Sequence, residues 1–189
     1  MTTIILQHNA LITCTFLGDQ ICTIGFPTPE ELRQKALEVN INSVVVRDQQ
    51  QRVFPDITFT CNGSITKWIV GAGIGDGSSP PSELQIWRRS GSDYIKVGST
   101  QLTAQSPTSD PNVYEYIPSP PLGFQEGDIL GVYQREGSSI VPYYQETTGP
   151  ENLRQSGLVS AAPNKLIALI LAEEYDYPLV TVETGSSLF

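Results

Sequence analysis

The chain has 189 residues, 39% of them apolar and only 16% charged, and it carries a formal net charge of −9 at pH 7. This acidic balance argues against nucleic-acid binding, because phosphates are neutralised by clustered basic side chains and Arg88-Arg89 is the only adjacent basic pair. The size allows one domain with a core, and the abundance of Gly, Pro, Ser and Thr is typical of short strands joined by turns.

The N-terminal region, residues 1–50, is expected to hold two short strands and one helix, either packed on the main domain or preceding it. Loose apolar alternation over residues 4–26 predicts the strands. The helix is predicted over residues 28–40, because Thr28 can cap it, Pro29 suits the first helical position and Glu31 completes a capping box.

The main domain, residues 51–185, is predicted to be mainly β. In residues 52–61, Ile57, Phe59 and Cys61 alternate with polar residues, which is the two-residue period of a strand. Eight or more short strands separated by turn residues are typical of an antiparallel β-sandwich or jelly roll. The predicted strands, one of them before this domain, are 43–48, 52–61, 65–70, 83–89, 94–99, 112–117, 128–134, 140–145, 165–174 and 178–183.

Asn62-Gly63 lies between two of these strands. The pair favours a tight hairpin turn in which both residues adopt positive φ, so strands 52–61 and 65–70 are expected to pair. Asn62-Gly63-Ser64 also fits the acceptor pattern for N-linked glycans, which makes Asn62 a candidate glycosylation site and indicates an extracellular setting.

Four glycines follow the second strand at every other position, namely Gly71, Gly73, Gly75 and Gly77. Nucleotide-binding loops need a helix, or a Lys-Ser or Lys-Thr pair, directly after their glycines, and residues 78–83 read SSPPSE. The glycines therefore indicate a connecting loop.

The sequence offers little that supports catalysis. His8 is the only histidine, no nucleophile elbow accompanies it, and the acidic cluster of Glu173, Glu174 and Asp176 is typical of a solvated surface. We therefore expect a protein that is not an enzyme and that uses no cofactor.

Loop carboxylates are weak candidates for calcium ligands, because sandwich loops can gather oxygen atoms. Asp76 and Asp128 are the named candidates, and Asp93 and Asp110 also lie in predicted loops. None of them belongs to an EF-hand motif.

Aromatic side chains are the candidate ligand contacts, since exposed rings stack on sugars and anchor protein interfaces. We single out Trp87, Tyr143 and Tyr144, although alternation favours a core position for both tryptophans. Two consecutive strand residues point to opposite faces, so one of Tyr143 and Tyr144 is expected to be accessible. The full set is Trp68, Trp87, Tyr94, Tyr114, Tyr116, Phe124, Tyr133, Tyr143 and Tyr144.

The three cysteines are compatible with either an oxidising or a reducing compartment. Cys14 and Cys22 are close enough to form a disulfide across a hairpin, while three reduced, buried thiols are the alternative. The N-terminus lacks the basic residues of a secretory signal, and the longest apolar run, residues 166–172, is too short to span a bilayer. The chain is either cytosolic or an excerpt of a longer secreted or membrane-anchored protein.

A pattern spread over residues 53–183 points to a family. It begins with a G-x-I-x-x-W strand, formed by residues 63–65 and Trp68, and continues with an L-Q-I-W-R strand at residues 84–88. A strand that contains Tyr94 and a GD-x-x-G-V-Y strand at residues 127–133 complete it. This order resembles an extracellular β-sandwich module of early animals, especially sponges, found in secreted proteins and in receptor-like and adhesion-like ectodomains. The resemblance implies a surface module and carries no catalytic residues.

We therefore expect a non-catalytic extracellular interaction or adhesion module that meets a protein or glycan ligand at the cell surface. A carbohydrate-binding, lectin-like domain is one alternative, with Tyr144 or Trp87 as the stacking ring. An intracellular structural or assembly protein is the other, and the missing signal favours it.

Overall fold

A computed structural model describes residues 22–25, 27–38, 49–71, 81–103, 106–135, 141, 143–146, 149–167, 169–172 and 175–186. These residues form one helix, α1 (Pro29–Glu38), and antiparallel strands. The strands are β1 (Gln50–Thr58), β2 (Gly63–Gly71), β3 (Glu83–Ser90), β4 (Asp93–Gln101), β5 (Ser106–Pro107), β6 (Val113–Tyr116), β7 (Leu122–Phe124), β8 (Ile129–Gln134), β9 (Tyr143–Glu146), β10 (Leu153–Gln155), β11 (Lys165–Leu166), β12 (Leu169–Leu171), β13 (Tyr175–Pro178) and β14 (Val180–Ser186). The predicted mainly β, antiparallel sandwich-like fold with one short helix is confirmed.

Two sheets face each other across the main core. The larger has seven strands in the order β11-β4-β3-β8-β1-β10-β12, and the smaller runs β14-β2-β6-β5 with β7 also paired to β2. Apolar side chains from the facing surfaces, among them Phe54, Trp68, Ile86, Val132 and Val180, form one buried cluster between the sheets. A separate two-stranded ribbon joins β9 to β13.

The predicted hairpin at Asn62-Gly63 is wrong. β1 pairs with β8 and β10, whereas β2 pairs with β14, β6 and β7, so the chain crosses from one sheet to the other at this point. Neither Asn62 nor Gly63 is among the described residues with positive φ. Long-range contacts, including the Asn62 side chain accepting from the Glu126 amide at 2.9 Å, hold the crossing in place of a local turn.

Helix α1 begins as the sequence predicts, because its cap is local. Thr28 Oγ1 accepts from the Glu31 amide at 3.2 Å, and the Glu31 carboxylate accepts from the Thr28 amide at 2.8 Å, which is a complete capping box. The Thr28 amide and then the Thr28 hydroxyl, which also donates to the Glu31 carboxylate at 2.8 Å, lower the pKa of Glu31. Leu32 and Ala36 pack against Ile69 and Val113 on the outer face of the smaller sheet.

The larger sheet is strongly curled. Its edge strands β11 and β12 are six strand spacings apart in the sheet order, about 29 Å if the sheet were flat. Leu166 in β11 and Leu169 in β12 are only three residues apart, which allows about 11 Å. The two edges therefore approach each other, and the predicted single strand 165–174 is in fact two short strands that pair at opposite edges.

A second core fills the concave side of the curled sheet. Its buried members, all on the face that points away from the smaller sheet, are Val53, Trp87, Tyr94, Ile129 and Leu166. Each of these residues either lies directly opposite the next one in the strand register or is two positions along its strand from the residue that does. Residues related in this way point to the same side of a sheet, so all five share one face. The larger sheet thus buries side chains on both faces, with polar residues such as Gln51 and Gln85 among those on the concave face, whereas the sequence alternation predicts one buried face.

Candidate functional site

A groove opens along the edge of β4, where the two sheets meet the loop between β6 and β7. It has a volume of about 320 Å³. Hydroxyl and amide groups dominate its wall, from Ser99, Thr100, Gln101, Thr103, Tyr116 and Ser119. Pro118, Pro120 and Leu122 supply its apolar part.

The strand geometry explains why these residues meet. Thr100 lies opposite Leu84 and points into the main core, while Ser99 and Gln101 point to the other face of the larger sheet. Tyr116 lies opposite Trp68 in the smaller sheet and faces Thr100 across the opening. The groove therefore runs along a sheet edge, and each sheet contributes one wall.

Thr100 carries the most constrained hydroxyl of the groove. Its residue exposure is 7%, and its Oγ1 accepts a hydrogen bond from Trp68 Nε1 at 3.0 Å. An indole N–H can only donate, so the Thr100 oxygen must be the acceptor and its own proton remains to be donated. The described part of the chain shows no hydrogen bond donated by this hydroxyl, so Thr100, which lines the groove, keeps its proton and one lone pair for a ligand.

Tyr116 and Thr103 place two further hydroxyls at the rim. Their oxygen atoms lie 3.5 Å apart, which is a long contact in which either can be the donor. Tyr116 packs its ring against the main core and Thr103 is exposed, so both hydroxyls keep hydrogen-bonding capacity.

None of the residues that line this groove carries a formal charge. The nearest charges along the strands neutralise each other, because Lys96 Nζ lies 2.9 Å from Glu83 Oε1 and both side chains are largely buried. Burial alone raises the pKa of Glu83, but hydrogen bonds from Lys96, Gln85 and Ser99 outweigh it and hold the pKa below its usual value. The groove is thus a neutral site on an acidic protein.

A second cavity, of about 430 Å³, lies between residues 22–29 and β14. Cys22, Pro27 and Pro29 line one side and Val182 lies on the other, so its surface is mainly apolar. Thr184 Oγ1 donates to the Cys22 carbonyl at 2.8 Å and ties the two sides together.

Trp87 is buried, so its candidacy as a stacking ring is wrong. Its exposure is 0%, and its Nε1 donates to Gln85 Oε1 at 2.7 Å. The indole lies against Gly131, where a side chain would overlap it. The core position that alternation favours for both tryptophans is the one observed, since Trp68 is also 0% exposed.

Tyr143 is buried as well, with 4% exposure, and this corrects its candidacy as a ligand contact. Its ring centroid lies 6.3 Å from that of Phe54, and the Arg52 guanidinium lies 5.3 Å above it. The Tyr144 backbone pairs with Tyr177, but its side chain lies outside the described residues, so its accessibility stays a prediction.

Asp128 is held by a structural ion pair, which corrects its candidacy as a calcium ligand. It is 1% exposed, and its two oxygens accept from Arg88 Nε and Nη2 at 2.7 and 2.8 Å. The Gln125 amide donates to the same carboxylate at 2.8 Å, and the pairing raises the pKa of Arg88. The bidentate ion pair neutralises the carboxylate, and with 1% exposure it is closed to an incoming cation.

The other acidic candidates do not gather. Asp93 pairs with Lys165 and Asp110 pairs with Arg33, each at 2.8 Å, and Asp76 lies outside the described residues. Residues 173 and 174 and the Asp176 side chain are also outside them. Within the described part of the chain, no group of three or more potential metal ligands occurs.

The disulfide joins Cys22 to Cys61, with Cα atoms 5.5 Å apart, so the predicted Cys14–Cys22 bond is wrong. The bond links the segment before α1 to the chain just after β1, a tertiary contact that sequence spacing does not reveal. Cys14, like His8 and Gly73–Gly77, lies outside the described residues. Asn62 is exposed next to this bond, with its Oδ1 engaged by Glu126, and its glycosylation stays a prediction.

Sequence reasoning missed the groove residues other than Tyr116, which it named only as one of nine aromatics. Ser, Thr and Gln at strand ends form no motif, and the groove exists only because two sheets meet there. The three prolines Pro118, Pro120 and Pro121 were the one local signal of an unusual loop.

Comparison of the chain with protein-family models, with curated proteins and with solved structures finds no match in any of the three. Among the described residues, none of the helical structure is long and apolar enough to cross a bilayer.

Proposed function

We propose that this chain is a non-catalytic interaction module of a secreted or cell-surface protein and that it meets its ligand in the groove along β4. The observation that carries the proposal is the groove itself, with its buried Thr100 donor and its uncharged wall. Ligand sites are concave and carry a few convergent polar groups, and this groove is concave with hydroxyl and amide groups along its wall.

The extracellular part of the proposal is supported by the Cys22–Cys61 bond, since disulfides persist in oxidising compartments. The exposed Asn62 sequon and the resemblance of residues 53–183 to surface modules of early animals are in accord with it. Expression through a eukaryotic secretory pathway behind an added signal tests this part. Intact-mass analysis should find one disulfide and a glycan that Asn62→Gln removes, while three free thiols and an unmodified Asn62 would contradict it.

The binding part is tested with a multimerised form of the chain on arrays of extracellular proteins and of glycans. Thr103→Arg places a long charged side chain at the exposed rim of the groove and should abolish binding to its ligand. Leu37→Arg is the matched control, because Leu37 is 62% exposed on α1, far from the groove. Binding that both variants retain, or an absence of binding on both arrays, would refute the groove as the interaction site.

A further inference from the structure

We propose that the groove along β4 takes a neutral saccharide. This inference rests on the proposed function, whose site it shares, and it adds the chemical class of the ligand. It moves the carbohydrate contact from the aromatic candidates Trp87 and Tyr143, which are buried, to a wall of hydroxyl and amide groups.

The hydrogen-bonding inventory of the wall matches a sugar. Each saccharide hydroxyl both donates and accepts, so a site for it needs donors and acceptors side by side. Thr100 accepts from Trp68 and keeps its own proton and one lone pair for a ligand. Thr103, Tyr116 and Ser119 hydroxyls can donate or accept, and the Gln101 amide offers both kinds of group.

The apolar part of the wall matches the carbon face of a pyranose ring. Pro118, Pro120 and Leu122 form it, and the Tyr116 ring stands where the two parts meet. A volume of about 320 Å³ falls at the small end of the range for ligand sites, which suits one or two sugar units better than a longer chain.

The charge distribution excludes acidic saccharides. No lining residue is cationic, so a sulfate or carboxylate would lose hydration without gaining an ion pair. The net charge of −9 adds a repulsive field. We therefore expect neutral hexose or N-acetylhexosamine units.

The test is an NMR titration of the isotopically labelled chain with neutral trisaccharides of gluco, galacto and manno configuration and with their sulfated counterparts. A neutral trisaccharide should shift the backbone amides of residues 99–103 and of the non-proline residues between Tyr116 and Leu122, and the sulfated form should bind more weakly. The inference fails if no neutral trisaccharide shifts these amides at millimolar concentration, or if the sulfated form binds more tightly.

Two conservative substitutions test the roles of individual hydroxyls. Tyr116→Phe combined with Ser119→Ala removes two hydrogen bonds and should weaken binding about tenfold. Tyr114→Phe is the matched control, because Tyr114 lies two residues away on β6 and does not line the groove. An equal loss in the control, or none in the double variant, overturns the assignment.

The Thr100 hydroxyl is tested by a matched pair. Thr100→Ser keeps the hydroxyl and should bind within about twofold of the unmodified chain, whereas Thr100→Val should lose binding. Retained binding in Thr100→Val refutes the donor role, and thermal unfolding of each variant separates loss of the site from loss of the fold. If protein ligands on the arrays depend on Thr103 while saccharides do not bind, the proposed function stands and this inference falls.

Discussion

Breaking the Cys22–Cys61 bond tests the tertiary arrangement most directly. Cys61→Ser is the preferred change, because Cys61 is only partly buried and tolerates a hydroxyl, whereas Cys22 is in the core. The bond closes a loop with a sequence separation of 39 residues. The loop-entropy relation gives a stabilisation of about 4 kcal/mol for a loop of this length, through restriction of the unfolded chain.

The assay is urea-induced unfolding followed by tryptophan fluorescence, since both tryptophans are buried in the folded protein. Cys61→Ser should unfold at lower urea with a free energy about 4 kcal/mol smaller, and the reduced unmodified chain should behave alike. Cys14→Ser should keep the disulfide, as peptide mapping without reductant would show. The reasoning is refuted if Cys14→Ser abolishes the disulfide, or if Cys61→Ser unfolds like the oxidised chain.

Two further predictions concern the concave face of the larger sheet. Gly131→Ala should cost about 2–3 kcal/mol of unfolding free energy, because the added methyl would overlap the Trp87 indole. The control is Gly123→Ala, whose methyl meets open space and should change the unfolding free energy by less than about 0.5 kcal/mol. Equal effects of the two substitutions in urea titrations would contradict the packing. Glu83→Gln should cost about 3 kcal/mol at pH 7 by leaving the buried ammonium of Lys96 unpaired. The pKa of Glu83 is lowered by folding, so its contribution is present above its usual value of 4.5 and is lost as the pH falls through the lower folded value. Unfolding measured from pH 7 to pH 3 should therefore show a shallower acid loss in Glu83→Gln, and an unchanged slope would argue against the pair.

Local rules predicted α1 and the longer strands, but not the short strands β5, β7, β10 and β13. The Thr28–Glu31 capping box is formed by residues only three positions apart, so the sequence alone predicts it. Helix α1 accordingly begins at Pro29, the residue after the cap. The alternation of Ile57 and Phe59 with polar residues likewise indicated a strand in this region, although β1 ends at Thr58 and its residues 51–54 are all buried.

Strand partners were not predictable in the same way. Asn62-Gly63 favours a hairpin by its backbone preferences, but a preference of this size yields to the core contacts of β1 and β2, which belong to opposite sheets. The prediction of residues 165–174 as a single strand failed for a related reason. Residues of this segment complete both edges of a curled sheet, and curl depends on contacts that are distant in sequence.

The roles of the site residues were also not predictable from local sequence, because they depend on partners that are distant in the chain. Asp128 has the loop setting of a cation ligand, yet the residue that decides its role is Arg88, 40 positions earlier, and the ion pair turns a candidate ligand into part of the scaffold. Thr100 shows the converse, because the hydroxyl of a common strand residue is fixed in place by the Trp68 indole of the other sheet. A function that depends on such pairs is encoded in how the two sheets meet, which is why the groove along β4, and not any motif, is where binding should be tested.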